Sequence, residues 1–203
     1  FSSVNGGWIH CGSTLSALNT HVGAEEYEPD AKTREGLAKA VDSDDKTDIH
    51  RFSRYYFGDP AIANPYHYGL LPEVTVDRNG NANVVKHFAA GRYAREMQVM
   101  ATDNRTAIGG DDGKNTGLFM FVADKEGDLA AGTLYAASVE QIRPDNGGTF
   151  DIKWIRLGHA TDAEIKALVD DGIRFSDIFE VISLSGDKKN PCGRSFRKVV
   201  TYT

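Results

Sequence analysis

Glu96-Met97-Gln98-Val99-Met100-Ala101, then Thr106-Ala107-Ile108-Gly109, then Leu118-Phe119-Met120-Phe121-Val122-Ala123: the reading of this stretch decides the fold. Each segment is short and rich in β-branched, aromatic or thioether side chains. Asp103-Asn104-Arg105 and Asp111-Asp112-Gly113 punctuate them. Short runs of this kind between Asp, Asn and Gly clusters are strands joined by turns, because those residues accept turn and left-handed backbone conformations. The signal recurs outward, at Trp8–Cys11, Arg51–Phe57, Glu73–Asp77 and Ala82–Phe88 on one side and at Gly132–Ser138 and Phe150–Leu157 on the other. Further turns stand at Asp77-Arg78-Asn79-Gly80, Asp124-Lys125-Glu126-Gly127 and Asp145-Asn146-Gly147-Gly148. Such connections are too short for a crossover helix, so the sheets are expected to be antiparallel and the class all-β.

Two helices are expected as insertions. One covers Thr33–Val41, with Leu37, Ala40 and Val41 on one face; the other opens at the capping box Thr161-Asp162-Ala163-Glu164 and stops at Gly172. The acidic run Asp42–Asp48 reads as a solvated loop before it reads as a calcium site. Asp77-Arg78-Asn79-Gly80-Asn81 resembles the start of an EF-hand, but its twelfth position is Phe88, so it is a hairpin turn.

With 203 residues and 40% hydrophobic content, the chain is long enough for one sizeable core. Lys and Arg total 23 against 29 Asp and Glu, a net charge of −6, which argues against a nucleic-acid partner. Lys188, Lys189, Arg194, Arg197 and Lys198 crowd the last residues and read as a solvated edge. No apolar run reaches the ~20 residues of a membrane-spanning helix. Phe1 and Thr203 are expected not to be natural ends, the final residues reading as a strand cut short.

The chemistry-bearing candidates begin with Cys11, followed by Glu25-Glu26. A thiolate selects iron or zinc and carboxylates select calcium or magnesium, so the set can serve a mixed site; the competing reading is a small buried Cys. Because strand residues alternate faces, only one of the two glutamates can enter a shared site. Glu96 heads an otherwise apolar strand, where a carboxylate is either exposed or held by a cation. Arg92 and Arg95 beside it can clamp phosphate or pair with acids. Asp111 and Asp112 fit an ordinary Asp-Asp-Gly turn. His10, His21, His50, His67, His87 and His159 show no metal-binding spacing; Cys11 and Cys192 can form one disulfide, and if Cys11 ligates metal, Cys192 is left free or paired outside the chain.

Three blocks carry a resemblance. Cys11 to Glu26 resembles a motif of the PhoX-type alkaline phosphatases, in which a Cys leads through Thr, Pro and Trp residues to a Glu-Glu pair; here Leu18, His21 and Ala17 replace the Trp and Pro positions. Gly91-Arg92-Tyr93-Ala94-Arg95-Glu96 is similar to that family's Gly-Arg-Phe-x-His-Glu, with Arg95 where His is usual. Gly109–Phe121 is similar to its acidic turn and the strand after it. The resemblance implies a six-bladed β-propeller with short helical insertions, of which residues 1–203 form an incomplete domain closed by the remainder of the same protein. It implies iron and calcium held by Cys11, Glu25, Glu26, Glu96, Asp111 and Asp112, with Arg92 and Arg95 on the phosphate. The implied function is metal-dependent phosphomonoester hydrolysis in a periplasmic or secreted setting. A non-catalytic, calcium-stabilised propeller used as a scaffold is the alternative, and a lactonase-like propeller with one calcium is a third.

Overall fold

Within each sheet of the described residues, consecutive strands pair with one another. The structure is a computed structural model that describes residues 1–17, 19–31, 48–114, 116–181 and 200–202. The expected helix at Thr33–Val41, the acidic run after it, the terminal basic cluster and Cys192 lie outside the described residues, apart from Asp48.

The first sheet has four strands in the order β1 (Thr14–Leu15), β2 (His21–Val22), β3 (Leu71–Val76) and β4 (Ala82–His87). The second has five: β5 (Arg95–Met100), β6 (Thr106–Asp111), β7 (Leu118–Lys125), β8 (Asp128–Arg143) and β9 (Thr149–Thr161). β10 (Phe179–Val181) and β11 (Val200–Tyr202) form a separate pair. All pairings are antiparallel. The described residues are thus mostly β, with few short helices among them, as the turn spacing predicts.

The turn chemistry works as read. Asp77 Oδ1 accepts from the Asn79 and Asn81 amides at 2.8 Å each, and Gly80 takes a φ of +82° that closes the β3–β4 hairpin. Asp103 accepts from the Arg105 and Thr106 amides between β5 and β6. The capping box is present: Glu164 N donates to Thr161 Oγ1 and Thr161 N to Glu164 Oε2, opening helix α2 over Asp162–Asp170.

Two strand expectations are corrected. Arg51–Phe57 belongs to helix α1 (Asp48–Phe57), not to a strand. Its aromatics suggested β structure, but Ile49, Phe52 and Tyr56 recur at helical spacing; Ile49 is buried and Phe52 packs against Trp8 and Tyr68. Trp8–Cys11 supplies a single bridge, His10 opposite Glu25, because Ile9 at φ +26° breaks the extended run.

The core lies where the sheets meet. Val22 and Leu71 from the first sheet join Ala107, Phe121, Ala123 and Leu129 from the second, with Ala89 and Ala90 between them. Alternation along β7 puts Phe121 and Ala123 inside. Among the described residues, no helix is long and apolar enough to cross a membrane.

Candidate metal centre

Three segments distant in sequence run side by side at the seam between the sheets. Cys11 N donates to Ala24 O at 3.3 Å and Glu26 N to Ile9 O at 3.0 Å. On the other side of residues 24–26, Arg95 N donates to Glu25 O at 3.0 Å, and Gly12 N reaches Glu96 O at 2.8 Å. Gly12 permits this approach, since a Cβ there would meet the Glu96 carbonyl at 3.0 Å and Met97 Cε at 2.9 Å. Thr14 Oγ1 extends the seam, donating to Gln98 O at 2.8 Å.

Successive glutamates part company here. Glu25 is fully buried and accepts from the Trp8 amide at 3.0 Å, the Leu70 amide at 3.1 Å and Lys86 Nζ at 2.7 Å. Lys86 Nζ also donates to His67 O and lies over the Tyr68 ring. Burial lowers the Lys86 pKa while Glu25 pulls it back up. Glu25 therefore belongs to a buried ion pair inside the first sheet.

Glu26 turns the other way, toward Cys11. The Cys11 thiol is exposed and free, and its pKa is raised, first by its hydrogen bond to Glu26, then by desolvation and by the charges of Glu26 and Glu96. Glu96 occupies a register irregularity between Arg95 and Met97, a bulge that re-aims its side chain. Tyr27, held at φ +48° with its carbonyl accepting from Trp8 Nε1, bonds Asp112 and Glu26, which push its phenol up to about 12. A thiol, three carboxylates and a phenol thus share one edge. Among the described residues, no salt bridge joins Glu26, Glu96 or Asp112 to a cationic side chain. Soft sulfur beside hard oxygen is a mixed donor set, and crowded anionic groups favour a cation. Their present spacing is too open: among the described residues, no three His, Cys, Asp or Glu side chains form a group that could hold a metal ion.

The remaining candidates are engaged in the fold. Asp111 accepts from the Ala94 amide at 2.9 Å, and burial pushes its carboxyl up. Arg95 is fully buried; its guanidinium bonds Tyr93 Oη, Gln98 Oε1 and the carbonyls of Ala90 and Gly91. Arg92 donates to the carbonyls of Pro65, Tyr68 and Pro29. Arg92 thus serves backbone oxygens, and Arg95 serves backbone and side-chain oxygens within the fold. Sequence reasoning missed Tyr27, whose only signal is its place directly after the Glu pair, and Lys86, which nothing nearby in sequence ties to Glu25. In comparisons with known proteins, no family model, no curated protein and no solved structure matches the chain, so its likeness to the PhoX-type motifs stands on the quoted residues alone.

Proposed function

We propose that this chain is part of a metal-dependent phosphomonoesterase of propeller architecture, with Cys11, Glu26, Glu96 and Asp112 bordering the cation site. The observation that carries the reading is the meeting of exposed Cys11 and Glu96 with buried Glu26, from three separate segments, at one edge where the carboxylates raise the thiol. A cation that drew these side chains together would reverse that effect and relieve the repulsion between the carboxylates. When bound, it supplies charge neutralisation and polarisation of a phosphoryl oxygen. The chain's own part is positional: the Gly12 and Arg95 backbone bonds hold the three segments in register, and the Asp112 and Glu26 bonds orient Tyr27 over the edge. Sheets of sequence-consecutive antiparallel strands are the unit that repeats around a propeller, which supports the architecture. The donor mix favours iron with calcium, and the resemblance favours a periplasmic or secreted setting.

One observation favours the second reading, a calcium-stabilised scaffold without catalysis: the two arginines expected on phosphate both bond inward. Elemental analysis of purified protein, with p-nitrophenyl phosphate hydrolysis measured with and without a chelator, separates the two. Iron with calcium and chelator-sensitive hydrolysis are expected, and Cys11→Ser should remove iron and hydrolysis together. Calcium alone without hydrolysis selects the scaffold; no metal sinks both.

A further inference from the structure

Helix α2 is tied to the rest of the molecule at both ends by a histidine. At its start, Asp162 Oδ2 meets His87 Nδ1 at 2.8 Å, and Oδ1 accepts the Ala89 amide at 2.8 Å. The other ring nitrogen, His87 Nε2, meets Glu73 Oε2 at 3.0 Å. At the far end, Asp170 Oδ1 meets His67 Nε2 at 3.3 Å, and Asn64 Nδ2 donates to Val169 O at 3.2 Å. Between these ties, Ile165 and Val169 pack on Leu70 and Phe88. With Leu168 they wall an apolar cleft of about 790 Å³, shared with Tyr93, Phe119 and Leu134.

The two histidines differ in charge. His67 Nδ1 lies 3.0 Å from Asn5 Nδ2, which donates to it, so a neutral ring can still give its Nε2–H to Asp170. Burial keeps its pKa low. His87 has a carboxylate on each nitrogen. Both nitrogens must donate, and only the imidazolium can do that.

We propose that His87 is an alkaline-sensitive latch: its cationic form bolts the first turn of α2 over the apolar cleft, and loss of the proton releases that turn and opens the cleft. The proposal does not rest on the phosphomonoesterase reading. Burial pushes the ring toward neutrality, but Asp162 and Glu73 outweigh it and leave His87 raised from 6.5 to about 9. Glu73 from β3 and Asp162 from α2 are the charged groups facing the ring. Glu73 is itself lowered, by the His87 hydrogen bond first and by Thr20. The other charges of α2 are occupied: Glu164 by Thr161, Lys166 by Asp170. Lys86, next to His87 on β4, pairs instead with Glu25. The sign follows from a folded pKa above the unfolded one: the tie is at full strength below about 6.5 and fades as pH rises through about 9. The neutral ring donates from one nitrogen only, which leaves one carboxylate without its partner.

The test follows the His87 ring by NMR with labelled histidine and the cleft by fluorescence of 8-anilinonaphthalene-1-sulfonate, from pH 7 to 10, with far-UV circular dichroism as a control. The ring should titrate near 9 and dye binding should rise with the same midpoint while secondary structure stays intact. Glu73→Gln removes one carboxylate and leaves Glu25–Lys86 alone, so it should lower both midpoints by about 1 unit. His87→Gln should bind dye at pH 7 as the parent does at pH 10; should it not fold, Glu73→Gln decides. A ring titrating at or below its ordinary value overturns the latch. So does dye binding that stays flat through pH 10, or a dye midpoint that Glu73→Gln does not move, which would assign the opening to Lys86.

Discussion

Lys86 decides what the Glu pair does. Glu25 and Glu26 are equivalent as letters, and alternation says that they face opposite ways, but not which faces in. A lysine from β4, far along the chain, settles it by claiming Glu25 at 2.7 Å. No local window holds that information, so this half of the site was illegible. The Cys11–Glu26–Glu96 meeting was legible only through motif order. Glu25→Gln leaves a buried ammonium without its countercharge and should cost about 3–5 kcal/mol in urea unfolding. Its metal content, measured per folded molecule, should stay at the parent's level. Loss of metal with unchanged stability would instead make Glu25 a ligand. Arg95 carries a similar lesson. Its position beside Glu96 suggested a phosphate clamp, yet it is enclosed by carbonyls and by the ring of Tyr93, 3.9 Å from its guanidinium carbon.

Elements whose ends carry their own hydrogen-bonding chemistry were legible. The Asp77 turn and the Thr161 cap are examples: each local sequence supplies the acceptors its backbone needs. Thr161→Ala removes the acceptor for Glu164 N and should cost about 1 kcal/mol, seen as faster amide exchange through α2. Asp77 is held below the usual carboxylate range by the Asn81 side chain first and by turn amides. A depressed value means support present at neutral pH and lost on acidification. The Asn79 and Asn81 amides should therefore exchange faster, relative to the rest of β3–β4, once pH falls below the ordinary carboxylate range; Asp77→Ala should abolish that pH dependence. Helix α1 was not legible, because Phe52, Tyr55, Tyr56 and Phe57 have strand propensity and only tertiary packing overrides it. The two-residue strands β1 and β2 are too short to show a period at all.

Across the whole molecule, the two faces of the five-stranded sheet are unequal. One buries Ala107, Phe121 and Ala123; the other exposes Val99, Ile108, Val139 and Ile152, which pair across neighbouring strands as Val99 with Ile108 and Val139 with Ile152. An apolar face of that breadth draws a second layer. The 203-residue chain alone should elute above 22.2 kDa in light-scattering chromatography at micromolar concentration, and Ile108→Lys with Ile152→Lys should return it to a monomer. A parent that stays monomeric and free of bound dye on this face would remove the argument for a covering layer. How separate sheets assemble is a property of no single segment, which is why local patterning reaches the sheets and stops there. The seam at residues 8–12, 24–26 and 94–96 also bears on the order of events during synthesis. Every hairpin joins neighbours in sequence and can zip as soon as it is made, a fast local process. The bonds from Gly12 to Glu96 and from Arg95 to Glu25 cannot form until β5 has left the ribosome. The N-terminal segment must therefore wait, half assembled, while the middle of the chain is translated, and its exposed thiol is open to oxidation or to a wrong partner throughout that interval.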